Sequence, residues 1–153
     1  MVAFDKGPPA ALAQHFADLP DIEPQFRPLF WYDWGPVFYR GRLTGKARLL
    51  GIASDPGPTE RIVGRTLVGD AGQRVQGFLT KLGLTRSYSL LNAYAYALLP
   101  SHAMGAIPIL AEPAQQTWRN ELFAMVVGPQ LEAIVAFGLQ AKIASNSGPT
   151  PRR

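Results

Sequence analysis

The chain contains no cysteine. Disulfides, thiolate zinc sites and cysteine-ligated iron–sulfur clusters are excluded with it. Histidine is nearly as scarce. His15 and His102 stand far apart, without metal-like spacing, and each reads as a structural side chain. Charged residues make up 17% of the chain against 47% hydrophobic, which excludes a charge-rich disordered protein. No uninterrupted apolar run is long enough to cross a bilayer. The start, "MVAFDKGPPA", lacks the basic opening and apolar core of a signal peptide. No repeat or low-complexity segment is visible. A cytoplasmic, soluble, monomeric protein without membrane contact is the expectation.

What is present is enough apolar sequence to bury a core within one domain over residues 1–153. Fourteen prolines and fifteen glycines call for many turns. The net charge of +4 permits a polyanionic partner without demanding one.

"PPAALAQHFADLP" predicts a short helix, with Pro8 or Pro9 in its first turn and Pro20 beyond its end. Residues 20–45 are rich in aromatics and broken by prolines and glycines, so they read as an irregular segment packed on the domain. "ARLLGIAS", "YSLL" and "LEAIVAFG" are short apolar runs bounded by turn residues, which fits buried strands. Between and after them lie helical patterns. Val75, Phe78, Leu79 and Leu82 share one face before Gly83. Trp118, Leu122, Met125 and Val126 share another, between Pro113 and Gly128. "LQAKIAS" begins a last helix, and the polar tail 146–153 reads as disordered. This alternation predicts an α/β fold, a three-layer α/β/α sandwich around a parallel sheet.

Ligands of such sheets sit beyond the carboxyl ends of the strands. Asp55 and Asn92 both fall there. Asp55 is followed by Pro56, which keeps the chain out of helix, and Gly57, which permits close approach. From the residues alone it is either a turn aspartate or a carboxylate facing a site. Asn92 either reads a base edge or bonds its own loop. The glycines of "GRTLVGDAGQR" suit backbone contacts to phosphate, although the spacing matches neither a P-loop nor a dinucleotide fingerprint. Arg40, Arg42, Lys46 and Arg48 lie close to Trp31, Tyr32, Trp34, Phe38 and Tyr39. Such interleaving suits nucleic acid, or a solvated basic loop over aromatic packing.

In order along the chain, four of these stretches resemble the uracil-DNA glycosylase superfamily. "ASDPG" is similar to its first motif, Gly-Gln-Asp-Pro or Gly-Glu-Ala-Pro-Gly. "GRTLVGDAG" is similar to Gly-Arg-Pro-Phe-Val-Gly-x-Ala-Gly. "YSLLNA" resembles its strand ending in asparagine, and "LEAIVAFGLQAKIAS" its third strand and following helix. The resemblance covers roughly residues 30–145. It implies a four-stranded parallel sheet, a base flipped from DNA, and hydrolysis of the N-glycosidic bond without metal or cofactor. It implies Asp55 as the catalytic carboxylate that orients water, and Asn92, Ser54 and Leu67 at the base. It further implies Gly57, Arg61, Arg65 and Gly69 at DNA phosphates. The departures are specific. No His-Pro-Ser segment follows, Leu67 stands where phenylalanine stacks on the base, and a fourth strand has no counterpart. The resemblance therefore implies either a C-terminally shortened glycosylase for uracil or another damaged base, or a non-catalytic binder of damaged or abasic DNA.

Overall fold

The computed structural model describes residues 5–146. Pro9 precedes helix α1 (Ala10–Ala17), which turns Leu12 and Phe16 inward. The aromatic segment is more regular than its prolines suggest. It carries strands β1 (Phe30–Trp31) and β2 (Tyr39–Gly41). Strand β3 (Leu49–Ala53) follows, then two helices, α2 (Pro58–Val63) and α3 (Asp70–Lys81). Strands β4 (Tyr88–Asn92) and β5 (Ala97–Leu98) lead into a 3₁₀ segment, Pro100–Ala111. Helix α4 (Pro113–Val126), strand β6 (Ala133–Ala136) and helix α5 (Leu139–Asn146) complete the described chain. The tail expected to be disordered falls, beyond Asn146, outside the described residues.

The helix ends follow local chemistry. Pro113 occupies the first turn of α4, where a missing N–H is harmless. The Glu112 carboxylate accepts from the amides of Ala114 and Gln115, at 3.2 and 2.9 Å. Gly83, at φ +71°, turns the chain away after α3. Helix α2 lies where the sequence reads only as a turn, because its single apolar step, Ile62–Val63, faces solvent.

The main sheet has the order β2-β4-β3-β6. Strand β3 runs parallel to β4 and to β6, with Ala53 level with Asn92 and Ile52 level with Ala136. Strand β2 runs antiparallel to β4, so the sheet is mixed and not purely parallel as expected. Both central strands are buried along their full length. Covered faces explain why they read as continuous apolar runs. Successive residues point to opposite faces. Leu50, Ile52 and Leu91 join Leu12, Phe16, Trp118, Leu122 and Ala141. Leu49, Ala53, Tyr88 and Leu90 join Leu67, Val75 and Leu79. Strand β6 is different: Ala133 is exposed and the rest is half-buried, as befits an edge strand. A third cluster, Phe30, Tyr94, Leu98, Ile109 and Leu110, holds the small β1–β5 sheet against the 3₁₀ segment. Among the described residues no helix is long and apolar enough to cross a membrane.

Candidate functional site

The chain turns sharply after β3. Pro56 is buried, Gly57 caps α2, and Asp55 is left at the carboxyl end of the strand, beside β5. Here a cleft of about 440 Å³ opens, lined by Trp31, Asp55, Gly57, Arg61, Leu98 and Ala103 among others. Asp55 Oδ2 accepts a hydrogen bond from the Leu98 amide at 2.9 Å, which fixes the carboxylate to β5. Burial pushes the Asp55 carboxyl above its ordinary range, and the neighbouring Glu60 carboxylate adds to this. The Leu98 amide works the other way. Ser54 has one proton to share. Gln140 Nε2 donates to the Ala103 carbonyl, so Gln140 Oε1 faces Ser54 Oγ and accepts from it at 2.6 Å.

Arg61 is the cation of the cleft. Its guanidinium carbon lies 5.3 Å from the centre of the Trp31 ring, within cation–π range. Its Nε is buried without a hydrogen-bond partner among the described residues. Behind Asp55, the Tyr94 phenol is driven well above its ordinary pKa by burial, opposed by Arg119 and reinforced by Asp55. It stays protonated and neutral.

The other residues implied by the resemblance do not converge on this cleft. Asn92 is 7% exposed, and its Nδ2 donates to the Val37 carbonyl at 3.0 Å. The amide joins the end of β4 to the loop before β2 and does not line the cleft. Leu67 packs among Val75, Leu79 and Phe137. It lines a separate groove with Arg74 and Phe78. Its backbone has φ +53°, and its carbonyl accepts from the Arg40 guanidinium at 2.8 Å. Arg65 is paired with Asp5 at 3.1 Å and lies over the Tyr39 ring.

The Gly69 amide is engaged within the protein. The Glu60 carboxylate is buried and accepts from the amides of Val68 and Gly69, at 3.1 and 2.9 Å. A side-chain anion already occupies the place expected for a phosphate. The local need is clear. Those amides open α3 and have no partner within the helix, and a carboxylate is the strongest acceptor for them.

The basic cluster is similarly divided. Arg40 serves Leu67, and Arg48 makes a two-pronged pair with Glu132 at 2.8 and 2.9 Å. Of the neighbouring aromatics, Phe38 stacks on Phe16 and Tyr39 is buried. Trp31, Tyr32 and Trp34 stay exposed. His15 stacks on Trp118, and its Nε2–H donates to the Trp118 carbonyl, 2.9 Å away. His102 is exposed and bonded to Ser101. Among the described residues, no group of three or more His, Asp or Glu side chains is placed to hold a metal ion.

Sequence reasoning did not anticipate Glu60, Gln140 or the Leu98 amide. Glu60 stands in the acidic end of "SDPGPTE", and its distance of eight to nine residues from its partners gives no periodic signal. No protein-family model matches the chain, and no curated protein matches it to a significant degree.

Proposed function

We propose that the protein is a DNA base-excision glycosylase that hydrolyses the N-glycosidic bond of uracil or another damaged base, with Asp55 as its catalytic carboxylate. The single observation that carries this reading is the half-buried Asp55 carboxylate at the carboxyl end of β3, facing a cleft large enough for a base. Breaking the N-glycosidic bond leaves cationic character on the sugar, and a fixed carboxylate beside it lowers the energy of that charge. A carboxylate whose pKa is raised is also a better base toward the attacking water. Arg61 supplies the opposite charge at the rim, suited to a phosphate. The two apolar clusters flanking the central strands support a three-layer α/β/α arrangement of the kind the resemblance implies. Asn92 reads the base only after release from Val37.

The test is base release from uracil-containing oligonucleotides, single- and double-stranded. Asp55→Asn is expected to lower the rate by about 10²–10⁴-fold, the usual contribution of a positioned acid–base group. An unchanged rate in Asp55→Asn would overturn the assignment. A second reading, a non-catalytic binder of damaged or abasic DNA, is favoured by the engaged Asn92, whose Nδ2 donates to the Val37 carbonyl. It predicts salt-sensitive DNA binding with no base released by the wild type.

A further inference from the structure

Trp31 and Tyr32 are adjacent in sequence yet line different cavities. Trp31 lines the Asp55 cleft, and Tyr32 lines a cavity of about 640 Å³ together with Arg27, Phe38 and Tyr96. Successive side chains of an extended chain point to opposite sides, so the two cavities flank one ridge, β1 and its continuation. Trp31 is 43% exposed, Tyr32 40% and Trp34 61%. Three large aromatic rings within four residues, all open to water, are an unusual surface for an apolar-rich domain.

The ridge is anchored. Phe30 and Trp31 are paired with Leu98 and Ala97, Tyr32 packs on Tyr96 at 4.8 Å, and Phe30 packs on Tyr94. Each side also carries one guanidinium. Arg61 lies over Trp31, and Arg27 is exposed and held by its Nε–H to the Ile22 carbonyl at 3.0 Å. Each cavity contains one carboxylate as well, Asp55 in the first and Asp21 in the second. In each cavity the carboxylate and the guanidinium offset one another, and the aromatic rings beside them suit uncharged bases.

We infer that this ridge is a track for single-stranded DNA, with one base stacked at Trp31 and a neighbouring base at Tyr32, and the connecting phosphates at Arg61 and Arg27. Stacking of this kind needs bases that are not paired in a duplex, and it tolerates any sequence because every base has a π-face. The inference rests on the proposed function for what happens at Asp55, but binding along the track does not require catalysis.

The experiment uses the full chain carrying Asp55→Asn, so that nothing is turned over. Uracil-free oligothymidylate, a blunt duplex of equal length, the matching ribo-oligomer and heparin are titrated by fluorescence anisotropy and by tryptophan quenching. The single DNA strand is expected to bind at least about tenfold more tightly than the duplex. Trp31→Ala and Tyr32→Ala are each expected to weaken it by about 5- to 100-fold, the range for loss of one base–aromatic stack. Both side chains also pack on neighbours, Trp31 on Arg61 and Tyr32 on Tyr96, so each titration is run well below the melting temperature measured for that variant. Equal affinity for duplex, ribo-oligomer or heparin, or unchanged affinity in both variants, would overturn the track. Strand binding without base release by the wild type would remove the glycosylase reading and leave the track standing. Base release with an unaltered KM for single strands in Trp31→Ala would do the reverse.

Discussion

Asp55 carries two demands that pull in opposite directions, and they can be measured separately. Burial raises its folded-state pKa above the unfolded value, so folding takes up a proton there. The associated stability is fully present below the unfolded pKa and is lost as pH rises through the folded pKa. Asp55→Asn cannot ionise. It is expected to melt at a higher temperature than the wild type at pH 7, with the gap closing below about pH 4, where both states of the wild type are protonated. A calorimetric or spectroscopic melt at the two pH values checks this. A variant that gains stability while losing base release marks a carboxylate held ionised for function. An aspartate needed only to bind the Leu98 amide would instead lose stability on substitution. The acid limb of the wild-type kcat/KM profile should fall above the ordinary carboxylate pKa of 3.8, in the direction set by burial. The place of Asp55 at a strand end was legible in the sequence because its cues are local: an apolar strand before it, Pro56 and Gly57 after it. Its bond to the Leu98 amide, 43 positions away, was not. The engagement of Asn92 was not, because Val37 lies 55 positions away.

Between β3 and α3, the fold depends on how α3 begins. Glu60 on α2 satisfies the Val68 and Gly69 amides, and Gly72 lets the helix approach the preceding loop. A Cβ at Gly72 would stand 1.8 Å from the Leu67 carbonyl oxygen. Gly72→Ala must therefore push α3 away from Leu67, and overpacking of this kind costs about 1–3 kcal/mol. Glu60→Ala removes the acceptor from two amides and should cost about 1–3 kcal/mol, the range for leaving buried donors unsatisfied. Glu60→Gln keeps one acceptor oxygen and should recover part of that loss. Urea denaturation of the three variants tests the order. An unchanged midpoint in Glu60→Ala would show that water replaces the carboxylate without loss, and the amides would then be open to a phosphate after all. The glycine spacing of "GRTLVGDAG" revealed a close backbone approach, but not to what. The anion that fills it comes from α2, a helix too short and too exposed for any periodicity to announce.

At the scale of the whole molecule, the three parallel strands were readable because each is a continuous apolar run, while the antiparallel β2 was not. Tyr39–Gly41 is three residues long, and its pairing with Ser89–Leu91 is specified from a distance. The same sheet sets an order of local stability. Strands β3 and β4 are flanked on both sides, whereas β6 pairs only with β3 and leaves Ala133 exposed. Amides closing on the buried side of a sheet exchange only when the domain unfolds, and those at a thin edge exchange through local opening. In β3 and β4, Ile52 and Leu91 are expected to exchange slowest, with free energies matching global unfolding. Ala133 to Phe137 should exchange faster, with little dependence on denaturant. The Phe137 amide, which donates to the Ile52 carbonyl at 2.8 Å, should be the slowest of that group. Native-state hydrogen exchange followed by NMR across a low urea series measures this directly. If β6 exchanged only with β3, the edge would be locked to the core, and motion at the carboxyl ends of the strands would have to come from β5 and the 3₁₀ segment. That distinction bears on the cleft, because Asp55 is fastened to Leu98 on β5 and, through Ser54 and Gln140, to α5 behind β6. A loose β6 would let Gln140 release Ser54, freeing its proton for Asp55 and drawing the carboxyl back toward its ordinary pKa.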